Sequence, residues 1–441
     1  MDESERGWST LIPAPVQRAT ETFVGPRGIR KVLILGRMAV DRLGVMAELV
    51  ESYGQTATFD LRGTRFICTS DPEAIRHVLR DNASNYHKGI GVVHAKGVLG
   101  DGLLTSEGDV WLRQRRAASH LFGRDRLASL IEPIAEASEG MVTSWRAQPT
   151  VNVQLEIARL TLEVLSQHVL GRLITVDRRL IDAFTAVQDH AMVTMLTGGK
   201  IPEWFPLPAT RRYKRAEAVF DSLIQDWPEQ RPDSLLTLLL AGHETTTTAI
   251  AWTWYELSRN ADVVAKVRDE SKTVLPRHRS VGPIDVDRLV YTKCVVQESM
   301  RLHPPVWLIP RRALEVDTVS GVRVAPGTEI LICPYTLHRS PRWWQDPLRF
   351  EPDRFLPGRE QARPSFTYLP FGAGPRSCVG ARLAMLECVL VTAMAAPWLR
   401  FSDHDRHSVR PAPMLTLRMK KQLYLRTSHW QDDGGLRSER A

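Results

Sequence analysis

Cysteine is scarce in this chain. The five residues, Cys68, Cys294, Cys333, Cys378 and Cys388, are odd in number and widely spaced. That pattern argues against a disulfide framework and for a reducing compartment. No Cys-x-x-Cys pair accompanies Cys378 and Cys388, which argues against a structural zinc site. Long apolar runs are also missing. The best candidate, Val32–Leu35, is four residues long, against roughly 18 for a membrane span. The opening MDESERGWST is charged and polar, unlike a secretory signal. A cytoplasmic protein without a membrane span is expected. Internal repeats and low-complexity linkers are absent as well.

What is present is material for a large core: 441 residues, 43% of them apolar. Lys and Arg number 58 against 50 Asp and Glu, a formal net charge of +8. A positive balance suits an acidic partner, a membrane lipid or nucleic acid, and equally a solvated basic surface. No nucleic-acid-binding module is recognisable, so no such partner is expected.

Along the chain the texture changes twice. The first hundred residues mix short β-like runs (Thr56–Leu61, Arg65–Thr69) with short helices. Asp71-Pro72-Glu73 opens one of these, with an acidic cap and Pro in the first turn. Gly89 to Gly102 holds five glycines in fourteen residues and reads as a mobile loop. From Asp109 to about Ser299 apolar residues recur at helical spacing, as in Leu155, Ala158, Leu162, Leu165 and Val169. The segment IPEWFPLP (201–208) must interrupt these helices. After His303-Pro304-Pro305, Val316–Val324 and Glu329–Cys333 look like strands, with turn signals at Gly321 and Pro326-Gly327. Asp346 to Phe371 is rich in Pro, Arg and Phe without periodicity, and long ordered loops are usually functional. A helix from about Val379 and a β-rich tail follow. The fold class is mainly α with a minor β part.

The stretch from Phe371 to Gly380, FGAGPRSCVG, is a tight Gly/Pro loop running into a helix. It presents Cys378 at the helix N-terminus, where backbone N–H groups and the dipole stabilise a thiolate. Gly374 and Gly380 allow backbone to approach a flat cofactor closely, and Phe371 can stack on it. An isolated cysteine beside a turn is more often an inert buried thiol.

This stretch matches every fixed position of Phe-x-x-Gly-x-Arg-x-Cys-x-Gly, and the chain resembles the cytochrome P-450 family on that motif. The resemblance implies helices enclosing haem b (iron protoporphyrin IX), with Cys378 as the metal ligand and Arg376 on a haem propionate. Four further segments resemble the family's motifs, in its order. Trp111 and Arg115 resemble its C-helix Trp-x-x-x-Arg and imply propionate donors. Ala241-Gly242-His243-Glu244-Thr245-Thr246 resembles the oxygen-binding segment. It implies a groove at Ala241 and Gly242, a hydrogen bond from Thr245 to dioxygen, and a proton relay through Glu244. Glu298 and Arg301 resemble the K-helix pair, completed by Arg354, and imply a structural clamp on the cysteine loop. Arg312, after the Pro-Pro turn, is placed where the family keeps another propionate-binding arginine.

The resemblance runs from about Ser52 to Leu425. It implies one domain over 1–441, with an extension over about 1–50 and a polar tail over about 426–441. The activity implied is monooxygenation of a lipophilic small molecule with O₂, as in secondary metabolism. Electrons would come from a separate ferredoxin or flavodoxin with its reductase, and the protein is expected to act as a monomer. Substrate contacts are expected from Gly89–Leu104, Met192–Phe205 and Val306–Ile309. The basic residues Arg113, Arg116, Arg124 and Arg126 lie where the family's electron donors dock. One departure stands out. Pro232 bars a helix running through from Asp226, so the helix carrying Ala241 starts near Asp233, about two turns upstream at 3.6 residues per turn. This resembles an internal deletion. Two other readings stay open: a haem-thiolate peroxygenase or isomerase, and a haem-binding protein made defective by that deletion.

Overall fold

The computed structural model describes residues 24–427, except 39, 62, 90–91, 93–95, 146–147, 172–173, 175, 198–206, 225–231, 276–279, 360–362, 398–401 and 404–408. The helices are α1 (Gly28–Arg37), α2 (Arg42–Tyr53), α3 (Pro72–Arg76), α4 (Lys96–Leu99), α5 (Gly108–Leu121), α6 (Arg124–Ala128), α7 (Ile131–Trp145) and α8 (Val153–Leu170). They continue with α9 (Arg178–Thr197), α10 (Pro208–Ile224), α11 (Pro232–Arg259), α12 (Ala261–Val274), α13 (Pro283–Arg288), α14 (Val290–Leu302), α15 (Pro334–Leu337) and α16 (Ala381–Ala395). Strands β1 (Thr56–Leu61), β2 (Thr64–Thr69), β3 (Tyr86–Lys88), β5 (Ile309–Ala313) and β8 (Glu329–Ile332) form one sheet in the order β1-β2-β8-β5-β3. Strand β4 (Thr150–Asn152) lies in a second sheet with β9 (Ser402–Asp403) and β12 (Tyr424–Arg426). Two hairpins complete the set: β6 (Asp317–Val319) with β7 (Val322–Val324), and β10 (Pro411–Pro413) with β11 (Leu417–Met419).

Local chemistry accounts for many boundaries. Asp71 caps α3 by accepting from the Glu73 N–H, and Pro72 takes the first helical position, where its missing N–H costs nothing. Asn152 caps α8, which ends on Gly171 in the left-handed region at φ 69°, the usual helix stop. The β6–β7 turn places Ser320 and Gly321 at φ 49° and 75°, the tight geometry that matches strand twist. Among its described residues the segment 346–371 carries one short 3₁₀ turn, Pro352–Phe355.

The main core packs α7, α8, α11 and α16 together, with Trp145 edge-on to Trp254 at 5.2 Å between ring centroids. Gly242 of α11 faces α8. A Cβ there would stand 2.6 Å from Leu165 Cδ2, so this glycine allows two helices to approach. The sequence reading had placed Gly242 with Ala241 in a groove for dioxygen and did not foresee this helix contact. A correction concerns the N-terminus. Leu43, Val45, Met46 and Leu49 of α2 are buried with Phe59 and Ala57 of β1, so the fold begins well before residue 50. The polar tail beyond residue 427 lies outside the described residues. Helix α11 begins at Pro232, as the proline requires; Trp227, Pro228 and Arg231 lie outside the described residues.

Candidate active site

The loop 371–380 sits at the end of α16. Its shape is set by a backbone crossing: Gly374 has φ +70°, and a Cβ there would lie 1.7 Å from the Leu79 carbonyl oxygen. Glycine is demanded at this position by neighbouring backbone, a reason the sequence did not show. The Cys378 N–H donates to the Phe371 carbonyl at 2.9 Å, closing the loop. Gly380 caps α16, and its N–H points at the Cys378 sulfur.

Cys378 alone among the five cysteines is exposed; the other four are buried. Burial nonetheless raises its thiol pKa, opposed by the Gly380 N–H and the nearby Arg115 charge. Arg115 Nη1 donates to the Ser377 carbonyl at 2.6 Å. It thereby braces the cysteine loop, a contact that the sequence reading of Arg115 as a propionate donor did not include.

Beside the loop the cations outnumber the acids. Arg376 lies over the Trp111 ring at 4.7 Å and pairs with Glu107 at 2.5 Å, yet its buried Nη1 has no hydrogen-bond partner. Lys88 donates its N–H to Glu107 at 2.7 Å and its Nζ to the Leu103 and Ser106 carbonyls. Burial pulls Lys88 down to about 8, Glu107 opposes this, and Arg376 and Arg311 add to it. Arg311 is pushed down to about 10, first by burial and then by Arg376. Lys88 and Arg311 are register partners across β3 and β5, so both point to one face.

Arg312 points to the other face. Its Nε stands 3.4 Å from Glu329 Oε1 and its side chain is 38% exposed. Side chains alternate along a strand, so Arg311, and not the expected Arg312, shares a face with Lys88. Lys88 was missed altogether. Its signal was weak: a lysine in a short β-like run, legible only once β3 pairs with β5.

On α11, Ala241 is exposed and Thr245 half-buried, and the Thr245 hydroxyl donates to the Ala241 carbonyl at 2.7 Å. At i and i+4 they share a face. The next residue, Thr246, hydrogen-bonds Glu387 of α16, a carboxyl pushed up to about 8 by burial and unread in the sequence. Glu244 is buried and turned to the β10–β11 hairpin, where Thr416 Oγ1 donates to it at 2.8 Å and Arg418 pairs with it. Oε2 of Glu244 is buried without a hydrogen bond.

Glu298 and Arg301 are fully buried and joined by two hydrogen bonds of 2.7 and 2.8 Å. Arg354 Nε approaches Glu298 at 3.3 Å. Arg301 also donates to the carbonyls of His338, Pro347 and Arg349. Three distant segments are thereby tied behind the cysteine loop. Of the expected substrate segments, Gly102 lies against Thr237 of α11, Met192 is buried against Trp307 and Leu417, and Val306 is 37% exposed. Residues 90–91, 93–95 and 198–205 of those segments lie outside the described residues.

The sequence profile of the cytochrome P-450 family matches residues 32–236 and 232–402. The chain belongs to the cytochrome P-450 family. The two matched stretches overlap over residues 232–236, at the start of α11. Cyclooctatin synthase of Streptomyces melanosporofaciens is 32% identical over 388 residues, 78% of this chain and 83% of the relative. Cyclooctat-9-en-7-ol 5-monooxygenase of the same organism is 28% identical over 442 residues, 92% and 93% of the two chains. A six-coordinated cytochrome P-450 from Thermus thermophilus superposes with a TM-score of 0.72 at 24% identity, covering 88% of this chain and 98% of that one. As a cytochrome P-450 the protein is a haem-thiolate monooxygenase. The residues fit haem: an accessible thiol lies beside three cations that share one carboxylate and an unpartnered arginine N–H, and haem brings a metal and two propionates. Among the described residues no helix is long and apolar enough to cross a membrane.

Proposed function

We propose that this cytochrome P-450 hydroxylates or epoxidises a lipophilic small molecule, drawing electrons from separate proteins, in the reaction RH + O₂ + 2e⁻ + 2H⁺ → ROH + H₂O. The observation that carries this reading is the exposed Cys378 thiol on the loop that also carries Arg376, beside Lys88 and Arg311. When bound, haem supplies dioxygen activation, which a thiolate ligand favours by pushing electron density onto the metal.

The chain's own residues have separable roles. Cys378 holds the metal. Lys88, Arg311 and Arg376 take the propionates, and the Trp111 ring supports Arg376. Arg115 keeps the loop in place, and Phe371, packed partly against the core, would contact the cofactor. Ala241 leaves room on α11 for dioxygen. The Thr245 hydroxyl, held on the Ala241 carbonyl, can turn to hold a proton at Oγ1, and Glu244 supplies protons from the next position. Positioned acid–base groups of this kind contribute about 100- to 10,000-fold.

The register of β5 gives a direct test of the cradle. Arg311→Ala removes a cation from the propionate face and is expected to lower the fraction of purified protein that retains haem. Arg312→Ala loses only a half-exposed pair with Glu329 and should retain it as wild type does. The ratio of Soret to protein absorbance reads both. Equal loss in the two variants would contradict the assignment.

Exposed Arg113 and Arg116 on α5 and Arg124 and Arg126 on α6 support docking of an acidic ferredoxin or flavodoxin, which opposite charge would steer. The five free cysteines support a cytoplasmic setting. The two relatives with cyclooctatin-derived names support a hydrocarbon-rich substrate and a place in secondary metabolism. Cyclooctat-9-en-7-ol is the first compound to test. The decisive assay supplies NADPH, a surrogate ferredoxin and its reductase under isotopically labelled dioxygen. One labelled oxygen atom per product supports monooxygenation. Turnover driven by peroxide but never by NADPH would favour the peroxygenase reading.

A further inference from the structure

Asp317 opens β6, and its carboxylate gathers donors from a distant stretch of chain. Oδ2 accepts from Tyr86 Oη at 2.6 Å, from His77 Nε2 at 2.8 Å and from Asn82 Nδ2 at 3.0 Å. Oδ1 accepts from the Thr318 N–H at 2.7 Å. Burial works against the charge, but the hydrogen bonds outweigh it and hold the carboxyl below its ordinary range. His77 and Asn82 bracket one π turn, His77–Asp81, which the Asn82 N–H closes on the His77 carbonyl at 2.8 Å. Single π turns are rare and recur at functional sites. This one lies against the cysteine loop. The Leu79 carbonyl crosses Gly374, and the Arg80 Cα stands 3.2 Å from the Cβ that this glycine lacks. Leu79 is buried in one cluster with Leu369, just before the loop.

Backbone meets backbone at this crossing, so no flexible side chain can absorb a shift of the π turn. Gly374 begins the 3₁₀ turn Gly374–Arg376, and the Ser377 N–H closes it on the Gly374 carbonyl at 3.1 Å, directly before Cys378. We infer that Asp317 is a positioning residue for Cys378: by holding His77, Asn82 and Tyr86 together it fixes the π turn on which the cysteine loop rests, and with it the thiolate. The carboxylate is chemically required. Three donors on one oxygen and a fourth on the other need an acceptor-only group, and an amide in its place would set an N–H against a donor. This rests on the reading of Cys378 as the haem ligand.

The test follows the thiolate by its spectrum in the full-length haem protein. The red-shifted band of the reduced, CO-bound form decays to a shorter-wavelength band when the thiolate is lost, and the rate is read well below the Tm of each variant. Asp317→Asn is expected to decay roughly 10-fold faster than wild type, the factor that one lost hydrogen bond to a charged group carries. Tyr86→Phe removes a single donor. It should act in the same direction, more weakly, and add little in the Asp317→Asn background, because both changes break one contact. Glu270→Gln controls for stability alone. Glu270 also accepts three hydrogen bonds, from the Tyr291 N–H and from the N–H and hydroxyl of Thr292, at the start of α14. Its variant should lower Tm and leave the decay rate within about twofold of wild type, as expected for an independent site. A wild-type rate in Asp317→Asn, or equal acceleration in Glu270→Gln, overturns the proposal. Hydrogen exchange reads the linkage separately. The amides of Arg376, Ser377 and Cys378 should exchange faster in Asp317→Asn, and unchanged protection there also overturns it. A wild-type protein without the red-shifted band would instead defeat the reading of Cys378, while the exchange result would still judge the link from Asp317 to the loop.

Discussion

Replacing Cys378 by serine is expected to abolish the strongly red-shifted Soret band of the reduced, CO-bound protein, and monooxygenation with it. Serine keeps the size and the hydrogen bond from Gly380, so the loop should still close on the Phe371 carbonyl. What disappears is the soft anionic sulfur that a haem iron prefers and that pushes electron density toward dioxygen. The other cysteines serve as controls. Cys388 is buried in α16, and burial drives its thiol well above the ordinary range, as befits an inert core thiol. Cys388→Ser should leave the band in place. A red-shifted band surviving in Cys378→Ser, or vanishing in Cys388→Ser alone, would remove Cys378 from the site.

The second large effect is expected behind the loop. Arg301→Ala should destabilise the protein by about 3–5 kcal/mol, the usual cost of leaving a buried charge without its partner. Glu298 is fully buried, and burial raises its pKa even against Arg301 and the Glu351 N–H. Removing Arg301 takes away the main group that keeps it charged and strands three carbonyls that Arg301 now satisfies. A fall in Tm of about 10 °C follows, at the 2–4 °C per kcal/mol typical of larger domains. The variant should also purify with little haem, because the clamp holds 346–351 and His338, and the His338 Nε2 accepts from the Leu369 N–H just before the cysteine loop. Calorimetry of wild type and variant decides this. A shift within about 1 kcal/mol would mean that the pair is dispensable to the fold.

Much of this was legible in the amino-acid sequence by itself. The helical majority, the β1, β2 and β8 runs, the Gly321 turn and the Pro232 start of α11 follow from periodicity and from residues with few backbone options. The family follows from a ten-residue string whose glycines, arginine and cysteine stand at fixed spacing. The clamp of Glu298, Arg301 and Arg354 was readable for the same reason, because each member sits in its own recognisable segment.

Only the tertiary structure decided which side chain faces which neighbour. A strand turns its side chains by half a revolution per residue, so a choice between Arg311 and Arg312 needs the pairing of β5 with β3 and β8. Lys88 joins the cradle through that same pairing, across more than two hundred residues of chain. Gly242 and Gly374 looked like cofactor glycines, and their missing side chains turn out to admit Leu165 and the Leu79 carbonyl. Glu244 could be placed beside Thr245 from its position, but its partner Arg418 lies in a hairpin at the far end of the sequence. Local sequence carries backbone preference and period; contacts between distant segments arise only when the chain is packed, and the charges and glycines of this site take their roles from those contacts.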